Sequence, residues 1–367
     1  MAKISKKPDL VLLGVVVTLL VLGIIILAST SASFSYKRFG NTYYFLQHQL
    51  LFGLLPGLIL GYLAFRLDLA RLKKWAPILL LATLVLMVMV FLPVIGSIDS
   101  QAARWIGLGP FSFQPSELLK LTFILYLASW LVSRQEKREA GFSQTLIAFL
   151  AVIGVIAALL FFQSNISTLG VIVFTGFLMY FFTKTPLWHS ILIILMGAGG
   201  LFSLIKLASY RIDRLMVFLN PDFEPMGIGY QAKQALISVG SGGPGGVGLG
   251  LSTQKLGFLP QTISDCIFAV FSEETGFVGG VVLVLLFLLF LIKGFQTAKT
   301  NQDKFLQLTA LGITCWIIIQ SFVNIGAMFG LLPLTGIPLP FISYGGSALV
   351  IELIAMGILL NISRKTV

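Results

Sequence analysis

The sequence predicts an all-α polytopic membrane protein of about ten transmembrane helices, forming one integral membrane domain over residues 1–367. Three observations carry that prediction. Of the 367 residues, 57% are hydrophobic and 11% charged, whereas soluble domains average about 45–50% apolar and about 25% charged. Several apolar runs approach or exceed the roughly 20 residues that a helix needs to cross a bilayer. Of the 25 Lys and Arg residues, 16 lie in short connectors on one side of the membrane if both termini are cytoplasmic, and the other nine are spread over longer outer loops and span edges. The formal charge of +11 is therefore a topology signal. Nucleic acid is not an expected partner.

The elements follow in chain order. Lys3, Lys6 and Lys7 precede an apolar run of about 18 residues, longer than the 7–15 of a secretory signal, so the first span, 10–29, is read as an uncleaved helix. Spans two and three, 46–65 and 75–93, are separated by Arg66, Arg71, Lys73 and Lys74. Span four, 115–133, opens on Pro115, which tolerates a first turn because its missing N–H would find no helical partner. Spans five to seven cover 143–162, 167–183 and 187–207, and Arg134, Lys137, Arg138 and Lys184 mark the connectors on the basic side. Spans eight to ten cover 266–292, 306–329 and 346–362.

Between spans seven and eight lies a long extracytoplasmic connector, about 208–264. Connectors beyond about 12–15 residues are usually functional or disordered. This one holds "YRIDRLMVFLNPDFEP", an amphipathic "GYQAKQALISVG" and "SGGPGGVGLGLSTQK". It is expected to fold back on the outer membrane surface. Gly240–Gly250 lacks the Gly-Lys-Ser/Thr of a nucleotide loop and a preceding strand, so it reads as a flexible turn. Before span ten, Pro333, Pro338 and Pro340 preclude a regular helix. Glu352 then falls inside the span and needs a partner. Cys266 and Cys315 read as buried free thiols, and His48 and His189 lack metal-ligand company.

Candidate chemistry concentrates at the outer boundary. Asp265 opens span eight among apolar neighbours, where burial raises a carboxyl pKa and an ionisable group is a functional candidate. Helix capping is the plainer account of it. Glu273 lies about 80° around the helix from Asp265 and Glu274 on the opposite side, so one could line a shared cavity while the other bonds a neighbouring helix. In "RWIGLGPFSFQPSELLKL", Glu117 and Lys120 share a helix face and can form a structural pair. Arg104, Trp105 and Lys120 could alternatively receive an anionic head group, Arg as a fork and Lys as a point charge. Lys255, Ser343 and Tyr344 are further substrate-binding candidates on the same side.

These stretches, with "SASFSY", "FGNTYYFLQHQL", "QKLGFLP", "SDCIFAVFSEETGFVGG" and "NIGAMFGLLPLTGIPLPFISYGGSALV", together resemble the SEDS family, the FtsW, RodA and SpoVE proteins of bacterial cell-wall synthesis. The resemblance covers nearly the whole chain. It implies ten helices in the bacterial cytoplasmic membrane and a peptidoglycan glycosyltransferase that polymerises lipid II, a disaccharide-pentapeptide on undecaprenyl pyrophosphate, at the outer leaflet. It also implies a class B penicillin-binding protein and other divisome or elongasome proteins as partners. The family's essential aspartate falls on Asp265, its Glu and Lys on Glu117 and Lys120, and its Arg-Trp on Arg104 and Trp105.

Two departures stand out. "LPQTISDC" puts Gln261, Ile263 and Cys266 where the family usually has Glu, His and Phe, and Asn165 replaces an acid. The N-terminal and "STQK" stretches lean towards FtsW, and "LTGIPLPF" towards RodA. The expected mechanism makes Asp265 the base for the acceptor 4-hydroxyl, with Arg104 and Lys120 neutralising pyrophosphate and Glu117 orienting Lys120. One displacement inverts an α-linked donor to a β-1,4 product. A divalent cation, Mg2+ or Mn2+, could assist, with no ligand set assigned. Two other classes use the same groups: a lipid II flippase and a non-catalytic division scaffold. A carrier should place its ionisable groups near the midplane in repeated halves; no repeat is evident, and the acids cluster outside.

Overall fold

The computed structural model describes residues 7–92, 103–108, 111–136, 142–183, 185–206, 209–220, 223–224 and 226–365. Asp9 starts the first helix, α1 (Leu10–Phe39), by accepting the Val11 and Leu12 N–H groups at 2.9 and 3.1 Å, as an N-cap does. Gly40 ends it in the left-handed region at φ 67°. After α2 (Tyr44–Gln49), a wide turn over Leu50–Leu54 runs into α3 (Leu55–Arg66). Then come α4 (Leu69–Met89), the strands β1 (Ile106–Leu108) and β2 (Phe111–Phe113), and α5 (Pro115–Glu136). The chain continues through α6 (Phe142–Phe162), α7 (Ile166–Phe181), α8 (Leu187–Lys206), α9 (Ser209–Leu219), α10 (Tyr230–Ser241), α11 (Ile267–Thr300), α12 (Lys304–Met328) and α13 (Gly346–Ser363). Each expected span falls on a helix. Eight helical stretches among the described residues are long and apolar enough to cross a bilayer, and α7 and α8 are shorter apolar helices. The antiparallel hairpin pairing Ile106 with Phe113 is the one addition to the all-α expectation among the described residues.

The start of α1 and the end of α13 meet at one face of the bundle. The Asp9 N–H donates to Ser363 Oγ at 3.1 Å, and Lys293, far along α11, pairs with Asp9 at 3.3 Å. The start of α11 therefore lies at the opposite face, where Lys37 near the end of α1 donates to Leu256 O at 2.9 Å. Helices α5, α12 and α13 are the most enclosed. Helix α13 lies directly on α3: a Cβ on Gly357 would stand 2.0 Å from Gly61 O, and one on Gly61 2.7 Å from Leu353 O. Without a hydrophobic drive between helices in lipid, such close backbone approach is what packing there uses.

The connector corrects two expectations. It does not lie on the surface throughout, because α10 packs along the first turns of α11: Ala235 is fully buried and Ser238 Oγ donates to Ala269 O at 3.0 Å. Nor is the Gly-rich stretch a flexible turn. Helix α11 breaks at Gly276 (φ 67°, ψ −164°), and the glycines repair the break. Val247 and Gly248 N–H donate to Glu273 and Glu274 carbonyls at 3.0 Å, while Phe277 and Val278 N–H donate to Gly243 O and Pro244 O at 2.8 and 3.2 Å. Buried backbone groups must be paired somewhere, and here loop and helix pair each other. A Cβ on Gly246 would sit 2.1 Å from Glu274 O, at a residue with φ +80°. Gly246→Ala is therefore expected to cost on the order of 2–5 kcal/mol, overpacking added to backbone strain. Gly240→Ala, which meets nothing within 4 Å, should leave stability unchanged. Thermal unfolding in detergent compares the two.

Candidate functional site

Asp265 does not cap α11. Cys266 holds the cap position and no side chain caps it, so the plain account of that acid fails. The segment leading to Asp265 is instead held rigid by its carbonyls. Ile263 O accepts the Tyr344 N–H at 2.8 Å, Ser264 O accepts Ser343 Oγ at 2.6 Å, and Asp265 O accepts Asn324 Nδ2 at 2.8 Å. Ser343 Oγ also receives the Leu339 N–H at 2.8 Å. The irregular "IPLPFISYGG" stretch is thus a brace under the aspartate, tolerated at membrane depth because it is buried in protein. Ser343 and Tyr344 supply that brace. The Tyr344 hydroxyl meanwhile meets His48 Nδ1 at 2.9 Å.

The half-buried Asp265 carboxylate faces a small polar pocket. Arg214 of α9, Gln231 of α10, Asn324 of α12 and the Leu334–Ile337 crossing form its walls. Burial pushes the Asp265 pKa above the usual carboxylate value; Arg214, the Ser264 hydrogen bond and Arg104 oppose that push without cancelling it. Arg214 also donates to Leu334 O at 3.1 Å and lines a larger, mostly apolar groove between α9, α10 and the Gly330–Leu334 turn. The groove and the pocket share Arg214, Gln231, Ala327 and Leu334.

The other candidates occupy three places. Arg104, just before β1, donates from Nε to Gln163 O at 2.9 Å and from Nη2 to Ser164 O, pinning the α6–α7 turn. It is still close enough to Asp265 to act on its charge. Trp105 follows it, half-buried. Lys120 lies deeper, only 3% exposed, with its ammonium 2.7 Å from Glu117 Oε2, 2.8 Å from Gln320 Oε1 and 5.1 Å from the Trp316 ring. Gln320 Nε2 then donates to Pro338 O at 2.9 Å. Lys120 is thus joined to the crossing beside Asp265 through one carboxamide, and does not line the pocket. Glu352 finds its partner in the Phe341 N–H at 2.8 Å.

Glu273, Glu274 and Lys255 form a third group, away from the pocket. Glu273 accepts from Ser238 Oγ, Ser252 Oγ, Thr253 N–H and Thr253 Oγ1 at 3.1, 2.5, 2.9 and 3.1 Å. Glu274 pairs with Lys255 at 2.6 Å and accepts Ser29 Oγ on both oxygens. Both carboxylates therefore lash the connector to α11 and α1. The pair is almost fully buried, at 4% and 2% exposure, so removing one partner strands a charge. Lys255→Met or Glu274→Gln alone should cost about 3–5 kcal/mol, and the double substitution less than either. A double-mutant cycle of thermal unfolding checks this.

The sequence does not single out Arg214, Gln231 or Asn324 of the pocket wall. Their stretches are visible as charged, amphipathic or glycine-rich, but which side of α9, α10 or α12 faces Asp265 depends on tertiary placement.

Comparisons with known proteins agree with this architecture. A family model for FtsW, RodA and SpoVE, described as cell cycle protein, matches residues 10–367. Stage V sporulation protein E of Bacillus subtilis (strain 168) is 38% identical over 360 residues, 98% of each chain. A probable peptidoglycan glycosyltransferase FtsW of Geobacter sp. (strain M18) is 36% identical over 357 residues, 97% of each chain. Among solved structures, a chain of a peptidoglycan synthase complex, studied for its coordination of polymerization and crosslinking, superposes with a TM-score of 0.81 at 28% identity, covering 98% of both chains. Rod shape determining protein RodA of Thermus thermophilus gives 0.73 at 27% identity, again over 98% of both. The matched family spans all the helices and the Asp265 pocket, and the chain belongs to it: it is a member of the FtsW/RodA/SpoVE family of integral membrane proteins.

Proposed function

We propose that this chain is a peptidoglycan glycosyltransferase that polymerises lipid II at the outer face of the bacterial cytoplasmic membrane, during division or elongation. The observation that carries the reading is the half-buried Asp265 carboxylate, braced through its backbone and facing Arg214 across a polar pocket. Both termini are then cytoplasmic, in keeping with the meeting of the start of α1 and the end of α13 at the face opposite the pocket and with the basic connectors there.

In this mechanism Asp265 takes the proton from the acceptor sugar's 4-hydroxyl. The freed oxygen lone pair forms the bond to the donor's anomeric carbon. The bond from that carbon to the pyrophosphate oxygen breaks, its electron pair leaves with the undecaprenyl pyrophosphate, and attack from the opposite side gives the β-1,4 linkage. A raised pKa suits a carboxylate that must hold a proton during transfer. Arg214, at the pocket wall, is the best-placed fork for the developing phosphate charge, with Arg104 behind it. Lys120, already engaged by Glu117 and Gln320, positions the Ile337–Phe341 crossing.

The protein's own side chains do not make a resident Mg2+ or Mn2+ site, though one carboxylate together with the substrate's pyrophosphate oxygens would suit such an ion. Asp265 is the single carboxylate on the pocket wall, and no group of three metal-ligating side chains occurs among the described residues. No step is routed through an ion. A crosslinking partner, in kind a class B penicillin-binding protein, would receive the strands. The test is polymerisation of purified lipid II by the protein reconstituted with that partner, with moenomycin present to silence unrelated polymerases. Glycan ladders are expected; lipid II moved across liposomes without elongation would instead establish a flippase.

A further inference from the structure

Asn324 carries more hydrogen-bonding capacity than the fold uses. It is 2% exposed and lines the Asp265 pocket. Its Nδ2 donates to Asp265 O and to Ile337 O, both at 2.8 Å. Those two bonds fix the amide's orientation, because a flip would set Oδ1 against two carbonyl oxygens. Oδ1 is therefore an acceptor with a settled direction, and none of the described residues donates to it. A buried acceptor left unmet is uncommon in native proteins and asks for an explanation.

The carboxamide one turn earlier gives the contrast. Gln320 is just as buried, and it clamps the same crossing through Nε2 to Pro338 O. Its Oε1, however, is fully employed by Lys120 Nζ and Trp316 Nε1, both at 2.8 Å. Clamping alone therefore does not leave an oxygen spare. On the pocket wall Gln231 Nε2 donates to Cys266 Sγ at 3.3 Å and Arg214 Nη1 to Leu334 O, and neither bonds Asn324 Oδ1. An ionised Asp265 has no proton to offer.

We infer that Asn324 is a substrate-contacting residue whose Oδ1 accepts a hydrogen bond from a second donor on the acceptor sugar, a ring hydroxyl or the acetamido N–H, and so aims the 4-hydroxyl at Asp265. The inference rests on the polymerase reading above. The same amide grips the Asp265 backbone and the substrate, so base and nucleophile share one reference point. Such positioning is what turns binding into rate.

The test is a cycle between enzyme and substrate. The reconstituted protein and its crosslinking partner are assayed with lipid II and two analogues, one with a hydroxyl other than the 4-hydroxyl of the acceptor sugar replaced by hydrogen, one with its acetamido nitrogen methylated. One analogue should slow wild type about 10- to 100-fold, the effect of one unmet hydrogen bond in a closed site. In Asn324→Leu the natural substrate is slowed and that analogue incurs no further loss. If wild type treats both analogues as it treats lipid II, or if the analogue loss multiplies in full with Asn324→Leu, Asn324 only clamps the backbone and the inference is wrong. Equilibrium binding of the same three lipids in nanodiscs separates the two readings. Discrimination in binding that Asn324→Leu abolishes, without any ladder from wild type, sustains the contact and overturns the polymerase.

Discussion

Asp265→Asn is expected to lower lipid II polymerisation by about 10²–10⁴-fold, the range that a positioned general base contributes, without loss of folded protein. The two halves of that expectation come from different atoms. The brace holds the backbone: the carbonyls of Ile263, Ser264 and Asp265 accept from Tyr344 N–H, Ser343 Oγ and Asn324 Nδ2, and all three bonds survive the substitution. The carboxylate itself caps no helix. Its pKa is raised by burial, so the folded state holds the proton to higher pH than the unfolded chain does. Stability then falls as pH rises from the ordinary carboxylate range through the raised pKa. Asparagine removes that slope, and the variant should be no less stable than wild type above it. Glycan ladders alongside unfolding curves at several pH values measure both. A variant that polymerises normally would exclude Asp265 as the base; one that fails to fold would make the brace, not the proton, its task.

Much of this was legible in the sequence, and what was not has a common cause. Membrane spans are set by runs of apolar residues, a one-dimensional quantity, so all ten could be placed. Asp265 was legible because a carboxylate among Cys266, Ile267 and Phe268 stands against its local composition. The Gly240–Gly250 stretch was misread because its glycines serve a tertiary contact: they pair with a helix break some 30 positions on, which no local signal announces. Glu273 and Glu274 lie little more than two helical turns beyond Asp265 in sequence, yet α1, α10 and the connector close over them and claim their oxygens. The cation beside Asp265 is the instructive case. Lys120 had the better motif, three residues from Glu117, and that same pairing commits its ammonium. Arg214 came from an unremarkable charged stretch, and only the docking of α9 over the pocket brings it to the aspartate.

Arg214→Gln should therefore have the second largest effect, and in two separable ways. As the cation on the pocket wall, its loss should reduce kcat by about 10²–10³-fold, as removal of one charge-stabilising donor does elsewhere. As the foremost cation opposing the raised pKa of Asp265, its loss should also let that pKa climb further. The base must be ionised to act, so the acidic limb of the pH–rate profile should move to higher pH, with part of the lost rate recovered at alkaline pH. Arg214→Lys divides the effects: the charge remains, so the limb should stay near its wild-type position, but the bidentate fork is gone and kcat should remain low. Structural damage would not produce this pattern, because Arg214 is exposed and gives a single hydrogen bond to Leu334 O among its resolved contacts. A fall in rate with an unmoved limb would place Arg214 on the leaving group alone. A moved limb with kcat restored at high pH would make it a tuner of Asp265, and leave the pyrophosphate to Arg104.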